Sequence, residues 1–510
     1  MSQTVAIIDF GSQYTQLIAR RIRELGVFSQ IHAPSITHTE LSALAPAAII
    51  FSGGPASIDD EDAPHPDPKI LELNIPILGI CYGMHWLAHF EGGKVGHSDR
   101  REYGKANISI ESQSPLLPPQ VDSSQVWMSH GDHVDAVPAS YEVLAVSDST
   151  VAAIGSETKR RYALQFHPEV THTTHGAAIL KKFLFDIAGC TGDWTAEEFI
   201  SQTVSEIRER VGDSKVICAV SGGVDSSVMS VILNEAIGSQ SIPIFIDTGL
   251  LRYDDIQNVT EILTKQLDLP IQYHDASDNF INALKGVTDP EKKRKIIGHQ
   301  FIEEFKNVTA EFDDVDFLAQ GTLYPDVIES RTVTGPSMTI KTHHNVGGLP
   351  EKMDLKLVEP FRELFKDEVR EIGRLLDIPE QILERHPFPG PGLAVRILGE
   401  VTRNRLDIVK EADKIFTETL HEFGEYRNVW QALTVLLPVN TVGVMGDQRT
   451  YEHVIVLRAV VSVDGMTADW SKLPDELLGK ASSKIVNEVK GVNRVVYDIT
   501  SKPPGTIEWE

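Results

Sequence analysis

Twice in this chain an apolar run enters a short glycine-bearing loop and leaves it as a helical pattern, at Gly79-Ile80-Cys81-Tyr82-Gly83 and at Ser221-Gly222-Gly223-Val224-Asp225-Ser226-Ser227. Short apolar runs that hand over to helices at glycines are the mark of buried strands in a parallel sheet, whose neighbours are joined by crossover helices. Two such junctions this far apart call for two α/β units. At a prior of ~150 residues per domain, 510 residues allow three or four domains and exclude a single core.

The rest of the pattern fills in around the two junctions. Residues 4–10 read as a strand ending at Asp9-Phe10-Gly11, and Leu17, Ile18, Ile22 and Leu25 follow at helical spacing with Gly26 as the stop. Further strands are expected at 47–51, 75–80, 126–128, 143–146, 151–154 and 162–166, then a helix over 176–187. A helix over 195–211, capped by Thr195, leads into a strand at 215–220, the second glycine loop, a helix over 227–236 and strands at 242–246 and 317–319. A helix over 366–376 closes that unit before the Pro/Gly-rich 386–392. Beyond it the spacing predicts a strand at 393–398, a helix over 402–420, strands at 429–437 and 453–463, a helix over 473–489 and a strand at 494–499. That order, β-α-β-β-α-β, is a split βαβ sandwich with one open sheet face. The expected fold class is therefore α/β: two consecutive α/β domains, 1–192 and a doubly wound 193–385, and a smaller α+β domain, 386–510.

Charge narrows the partners. Lys+Arg 47 against Asp+Glu 73 leaves −26, which repels nucleic-acid backbones unless basic residues cluster, so no nucleic-acid partner is expected. Cys81, Cys190 and Cys218 form no C-x-x-C pair and fit a reducing compartment. The N-terminus lacks a basic region before an apolar stretch, and no apolar run approaches the ~18 residues of a membrane span. The expectation is a cytoplasmic protein without a membrane partner.

At the first junction a cysteine stands on a tight strand-to-helix turn between small neighbours, and a helix N-terminus favours thiolate over thiol. Alone, G-x-C-x-G reads rather as a buried core cysteine beside turn glycines. Gln165-Phe166-His167-Pro168-Glu169, after another expected strand, adds an imidazole base and a carboxylate to fix its tautomer. Cys81, His167 and Glu169 are thus the candidate catalytic residues, although among 18 histidines a His-x-Glu also arises by chance. Ser52-Gly53-Gly54-Pro55 is either an ordinary turn or a source of backbone N–H groups for an oxyanion. Together these three pieces resemble the class I (triad) glutamine amidotransferases. The resemblance implies glutamine hydrolysis through a γ-glutamyl thioester, with ammonia passed to a partner domain.

The second junction is a phosphate loop: glycines let successive N–H groups converge, hydroxyls add donors, and a helix N-terminus follows. It lacks the lysine of G-x-x-x-x-G-K-[ST] and so is not a Walker loop. Ser221, Gly222, Gly223, Val224, Asp225, Ser226 and Ser227 are the candidate ATP-binding residues, and the string resembles the ATP-pyrophosphatase loop, which frees pyrophosphate by attack at the α-phosphate. Without a loop lysine, the pyrophosphate charge calls for Mg2+ and distant cations. Asp225 is the candidate metal ligand. Lys341, between Gly335-Pro336 and Gly347-Gly348, is a candidate cation on a lid, in a segment that also reads as an exposed loop.

Both motifs, Lys341-Thr342-His343-His344-Asn345-Val346-Gly347-Gly348 and the closing Lys502-Pro503-Pro504-Gly505-Thr506-Ile507-Glu508-Trp509-Glu510 stand in the order found in the glutamine-hydrolysing GMP synthetase family, which the chain resembles over essentially its whole length. The resemblance implies that ATP adenylylates xanthosine monophosphate (XMP) and that ammonia from glutamine then displaces AMP to give GMP. It also implies XMP contacts at Arg294, Arg396, Lys502 and Glu508, and a homodimer formed through the C-terminal domain. Two other readings stay open: another AMP-forming ATP-pyrophosphatase amidotransferase, and a catalytically silent glutamine- or nucleotide-sensing module. The intact Cys81, His167 and Glu169 speak against the second.

Overall fold

A computed structural model of the chain describes residues 3–147, 150–324, 326–327, 355–445, 448–462 and 467–510, with 98–101 and 445 as backbone alone. Lys341 and its flanking glycines lie outside the described residues. The chain divides into two compact units, Met1–Phe199 and Ile200–Glu510.

The first unit holds β1 (Thr4–Ile8), β2 (Phe28–His32), β3 (Ala48–Phe51), β4 (Ile77–Ile80), β5 (Lys94–Asn107), β6 (Ser109–Ile110), β7 (Gln125–Ala136), β8 (Glu142–Ser147), β9 (Thr150–Ser156) and β10 (Arg161–Leu164). Its main sheet runs β2-β1-β3-β4-β10-β9-β8-β6. The first five strands pair in parallel and the rest antiparallel. β3 and β4 are buried along their whole length, as their unbroken apolar sequence requires. β7 is longer than the expected 126–128 and leaves the main sheet to pair with β5 as a separate two-stranded ribbon. The carboxyl ends of β1, β3, β4 and β10 lie side by side, where loops of an open α/β sheet gather functional groups.

The second unit begins with β11 (Lys215–Ala219), β12 (Ser241–Asp247), β13 (Gln272–Asp275), β14 (Val315–Ala319) and β15 (Lys356–Val358), all parallel, in the doubly wound order β13-β12-β11-β14-β15. It continues with β16 (Gln431–Met445), β17 (Gln448–Val461), β18 (Asp469–Trp470) and β19 (Val492–Tyr497), where β17 is antiparallel to β16 and β18 and parallel to β19.

One expected strand is not a strand. The strand read at 393–398 is a 3₁₀ turn, Gly392–Arg396, and within that stretch Ile397 makes an isolated parallel bridge to Leu436. Gly392 has φ +64° and packs where a Cβ would lie 2.4 Å from Leu250 O, which forces the chain to turn. Leu393, Ala394 and Val395 are all buried, and an apolar run buried on every side shows no period that separates strand from turn. Leu393, Ala394 and Ile397 join a single hydrophobic core that includes Ile217, Ile244 and Phe305 as well as Val409, Leu436 and Ile455.

Candidate active sites

Cys81 sits between β4 and the helix Tyr82–Phe90, with φ 52° and ψ −108°. Only glycine adopts such a conformation without strain, and here it is held by a bond from Cys81 N to Leu164 O (2.7 Å) on β10. The two glycines of the loop are explained by contact. A Cβ on Gly79 would lie 2.5 Å from Gly83 O, and one on Gly83 would lie 2.4 Å from Phe51 O. The thiol is 5% exposed, with Sγ 3.5 Å from Ser129 O on β7.

His167 and Glu169 follow β10, the strand beside β4, so adjacency of two parallel strands brings the imidazole to the sulfur. His167 Nδ1 lies 2.6 Å from Glu169 Oε1, in a pair almost wholly shielded from water. Burial works to depress the imidazole, but the Glu169 charge and hydrogen bonds with Cys81 and Glu169 outweigh it and hold His167 up at about 10. The backbone is fixed too: His167 N bonds to Trp127 O (3.0 Å), and Thr173 Oγ1 donates to His167 O (2.6 Å). Tyr14 stands edge-on to the ring, with centroids 5.0 Å apart. Gly53, from the loop after β3, faces both groups. A Cβ there would lie 3.1 Å from His167 Cε1 and 3.5 Å from Cys81 Cβ. The geometry brings the Cys81 thiol, an imidazole oriented by Glu169 and a glycine loop together.

Sequence reasoning missed His85, which is buried and pushed down to about 4 by its burial. Its Nε2 lies 2.9 Å from Gln165 Oε1, so the neutral ring donates there and ties the nucleophile's helix to the loop after β10. An i, i+4 position after a nucleophile on a helix is the signal that finds it.

In the second unit the helix is Val224–Ile237 and begins earlier than the expected 227, which puts Val224, Asp225, Ser226 and Ser227 in its first turn. Gly222 has φ +72° and Gly223 is the N-cap. Ser227 Oγ donates to Gly223 O (2.7 Å), Ser226 Oγ lies 3.0 Å from Ser221 Oγ, and Ser221 N donates to Ser226 Oγ (3.1 Å). Arg385, which sequence reasoning also missed, is buried, donates from Nη1 to Gly222 O (2.6 Å) and pairs with Asp255. Asp225 Oδ2 is 3.4 Å from Lys366 Nζ, while its Oδ1 is buried with no hydrogen-bond partner among the described residues. That unsatisfied oxygen suits a hard cation. Among the described residues no group of three or more His, Cys, Asp or Glu converges, and a magnesium ion shared with nucleotide phosphates takes only one or two carboxylates.

The four residues implied for XMP fall around the end of the sequence. Arg294, on the helix Pro290–Thr309, reaches Glu291 (3.0 Å) and donates to Glu510 O (2.6 Å). Arg396 is fully buried between Glu508 (3.0 and 3.2 Å) and Asp413 (3.5 Å). Glu508 accepts also from Gln431 Nε2 (2.8 Å). Lys502 is placed further back, its backbone paired with Ala468 at 2.7 and 3.0 Å. The structure thus joins Arg396 to Glu508 directly and brings Arg294 to the neighbouring Glu510. The Arg396 guanidinium is spent on carboxylates.

The fold and the Cys81 site of the first unit define a class I glutamine amidotransferase domain: the family described as "Glutamine amidotransferase class-I" matches residues 6–187. The family described as "GMP synthase C terminal domain" matches residues 418–509. Relatives named "GMP synthase [glutamine-hydrolyzing]" align end to end. That of Nitratidesulfovibrio vulgaris strain DP4 is 55% identical over 510 residues, 99% of each chain, and that of Geobacillus kaustophilus strain HTA426 is 54% identical over 509 residues, 100% of this chain and 99% of the relative. A crystal structure described as that of a putative GMP synthase subunit from Thermoplasma acidophilum is 30% identical and covers 37% of this chain and 94% of its own, with TM-score 0.33. The chain belongs to the glutamine-hydrolysing GMP synthase family.

Proposed function

We propose that the chain makes GMP from XMP, ATP and glutamine in two coupled reactions. What carries this reading is the strained Cys81 beside the His167–Glu169 pair, in a chain that also bears the Ser221–Ser227 loop and aligns end to end with relatives of that name. In the first reaction the Cys81 sulfur attacks the side-chain carboxamide carbon of glutamine, and the oxyanion is met by N–H groups of the Gly53 loop and the helix N-terminus. His167 gives its proton to the departing ammonia, and water attack on the thioester, with His167 now taking a proton, releases glutamate. Glu169 keeps Nδ1 occupied so that Nε2 faces the chemistry.

In the second reaction the oxygen on carbon 2 of XMP attacks the α-phosphorus of ATP and pyrophosphate leaves, held by Ser221, Gly222, Gly223, Val224, Ser226 and Ser227, with Lys341 as a further cation. Ammonia then attacks carbon 2 and AMP departs. Magnesium, when bound, supplies charge compensation on the leaving pyrophosphate, and Asp225 is the residue that would hold it. Arg294, Arg396, Lys502 and Glu508 form the XMP site. Domain 193–385 carries nucleotide activation and lends Arg294 to the XMP site, and domain 386–510 carries the rest of that site and the dimer contact. Support for a homodimer comes from the outer part of the β16–β17 hairpin, where Val442 and its cross-strand partner Tyr451 are exposed together with Val444. Three free, buried cysteines support a reducing, cytoplasmic setting, and no helix among the described residues is long and apolar enough to cross a membrane.

One incubation tests the reading: ATP, Mg2+, XMP and glutamine, with AMP, pyrophosphate, GMP and glutamate measured together. Equal amounts of all four are expected. ADP in place of AMP overturns it.

A further inference from the structure

Lys293 has no part in the chemistry above, yet its side chain is fully buried. It lies beside Arg294 on the helix Pro290–Thr309, inside the basic string Glu291-Lys292-Lys293-Arg294-Lys295. Its Nζ donates to Ala394 O (3.2 Å) and Ile397 O (2.7 Å) and to the Glu510 carboxylate. An ammonium has three N–H donors, and here all three are used. Two go to the turn that carries Arg396 and one to the segment that carries Glu508. A single buried cation therefore joins the three pieces of chain that bear Arg294, Arg396 and Glu508.

The neighbouring contacts act in the same sense. Arg294 takes the Glu510 carbonyl at 2.6 Å, so that residue is gripped at both main chain and side chain. On the other side, the buried Arg458 donates to Ile507 O (2.8 Å) and Thr506 O (2.9 Å). Glu508 lies between these anchors and is presented to Arg396 and Gln431. A methionine would fill the space of Lys293 with no desolvation cost, so filling space does not explain an ammonium there. What the charge adds is direction.

We propose that Lys293 is a positioning residue for the XMP site, fixing the end of the sequence against the 392–397 turn so that Glu508 meets the nucleotide in one orientation. The proposal rests on the assignment of XMP to Arg294, Arg396, Lys502 and Glu508. Its test uses the full chain with ammonium salt as nitrogen donor, so that the amidotransferase site is not involved. KM values for XMP and for ATP are measured in Lys293→Met, Glu510→Gln and the double variant, with Arg294→Ala as the control for the assignment itself. Lys293→Met, which removes all three Nζ bonds, is expected to raise the XMP KM about tenfold and Glu510→Gln, which removes only the charge of one partner, about threefold, each leaving the ATP KM within about twofold, and the double variant to match Lys293→Met, because the contact that Glu510→Gln weakens is already gone there. If XMP and ATP KM values rise together, Lys293 is a general brace and the proposal falls. If Arg294→Ala raises the XMP KM while Lys293→Met and Glu510→Gln leave it unchanged, the site stands and the positioning role falls. If none of the three moves it, the site assignment falls and takes the proposal with it. Should Lys293→Met fail to fold, Glu510→Gln, which keeps the shape of the side chain, decides alone.

Discussion

Glu169→Gln keeps the size of the side chain at the 2.6 Å contact with His167 Nδ1 and removes its charge. His167 stands at about 10 in the native protein. Against an ordinary histidine at about 6.5, that is a preference for the imidazolium of about 4–5 kcal/mol, shared between Glu169 and Cys81 and net of the burial that opposes it. A hydrogen bond to a charged group contributes about 1.5–3 kcal/mol, so the substitution is expected to slow glutamine-dependent turnover roughly thirtyfold, near 2 kcal/mol. It also brings the alkaline limit of the glutaminase down by about one to two pH units, because a less stabilised imidazolium loses its proton sooner. The assay is the ratio of glutamine-dependent to ammonium-dependent GMP formation across pH 6–10.5, in which any effect on the second reaction cancels. An unchanged limit in the variant, whatever its rate, refutes the argument that Glu169 holds the proton on His167. The linkage has a second face: a raised pKa contributes stability that is complete below about 6.5 and lost as pH rises through about 10. The thermal midpoint of the wild type should thus decline across that window more steeply than that of Glu169→Gln.

Gly83→Ala would put a Cβ 2.4 Å from Phe51 O, a backbone atom that cannot step aside, so a loss of about 1–3 kcal/mol is expected by calorimetry, with glutamine-dependent turnover lost and ammonium-dependent turnover retained. Asp225→Asn is expected to slow AMP and pyrophosphate release about a hundredfold with either nitrogen source; a wild-type rate with ammonium removes Asp225 from the mechanism.

Local pattern carried the central parallel strands, because β3 and β4 are buried throughout and run into glycine-bearing loops, but it left unread the edge strands β2, β13 and β15, which are only partly buried. The grouping of Cys81, His167 and Glu169 was legible for a related reason: each follows a strand, and strand ends in a parallel sheet share one edge. The β5–β7 ribbon was not, since Lys94–Asn107 is largely polar and charged and owes its extended form to pairing rather than to alternation. The same limit hid Lys293 and Arg385. Charge in a sequence reads as exposure, and what buries these two cations is carbonyls and carboxylates more than a hundred residues away, at Ile397, Glu510 and Gly222.

The pairing of β4 with β10 bears on how the protein is made. Cys81 leaves the ribosome well before Leu164, the residue whose carbonyl holds its backbone, and before the imidazole that stands against it. Until β10 slots in beside β4, the thiol lacks its base, and long-range parallel pairing of this kind is among the slower events of folding. Covalent capture of Cys81 by a glutamine analogue would then serve as a clock for closure of this sheet, counting only those molecules in which the final central strand has arrived.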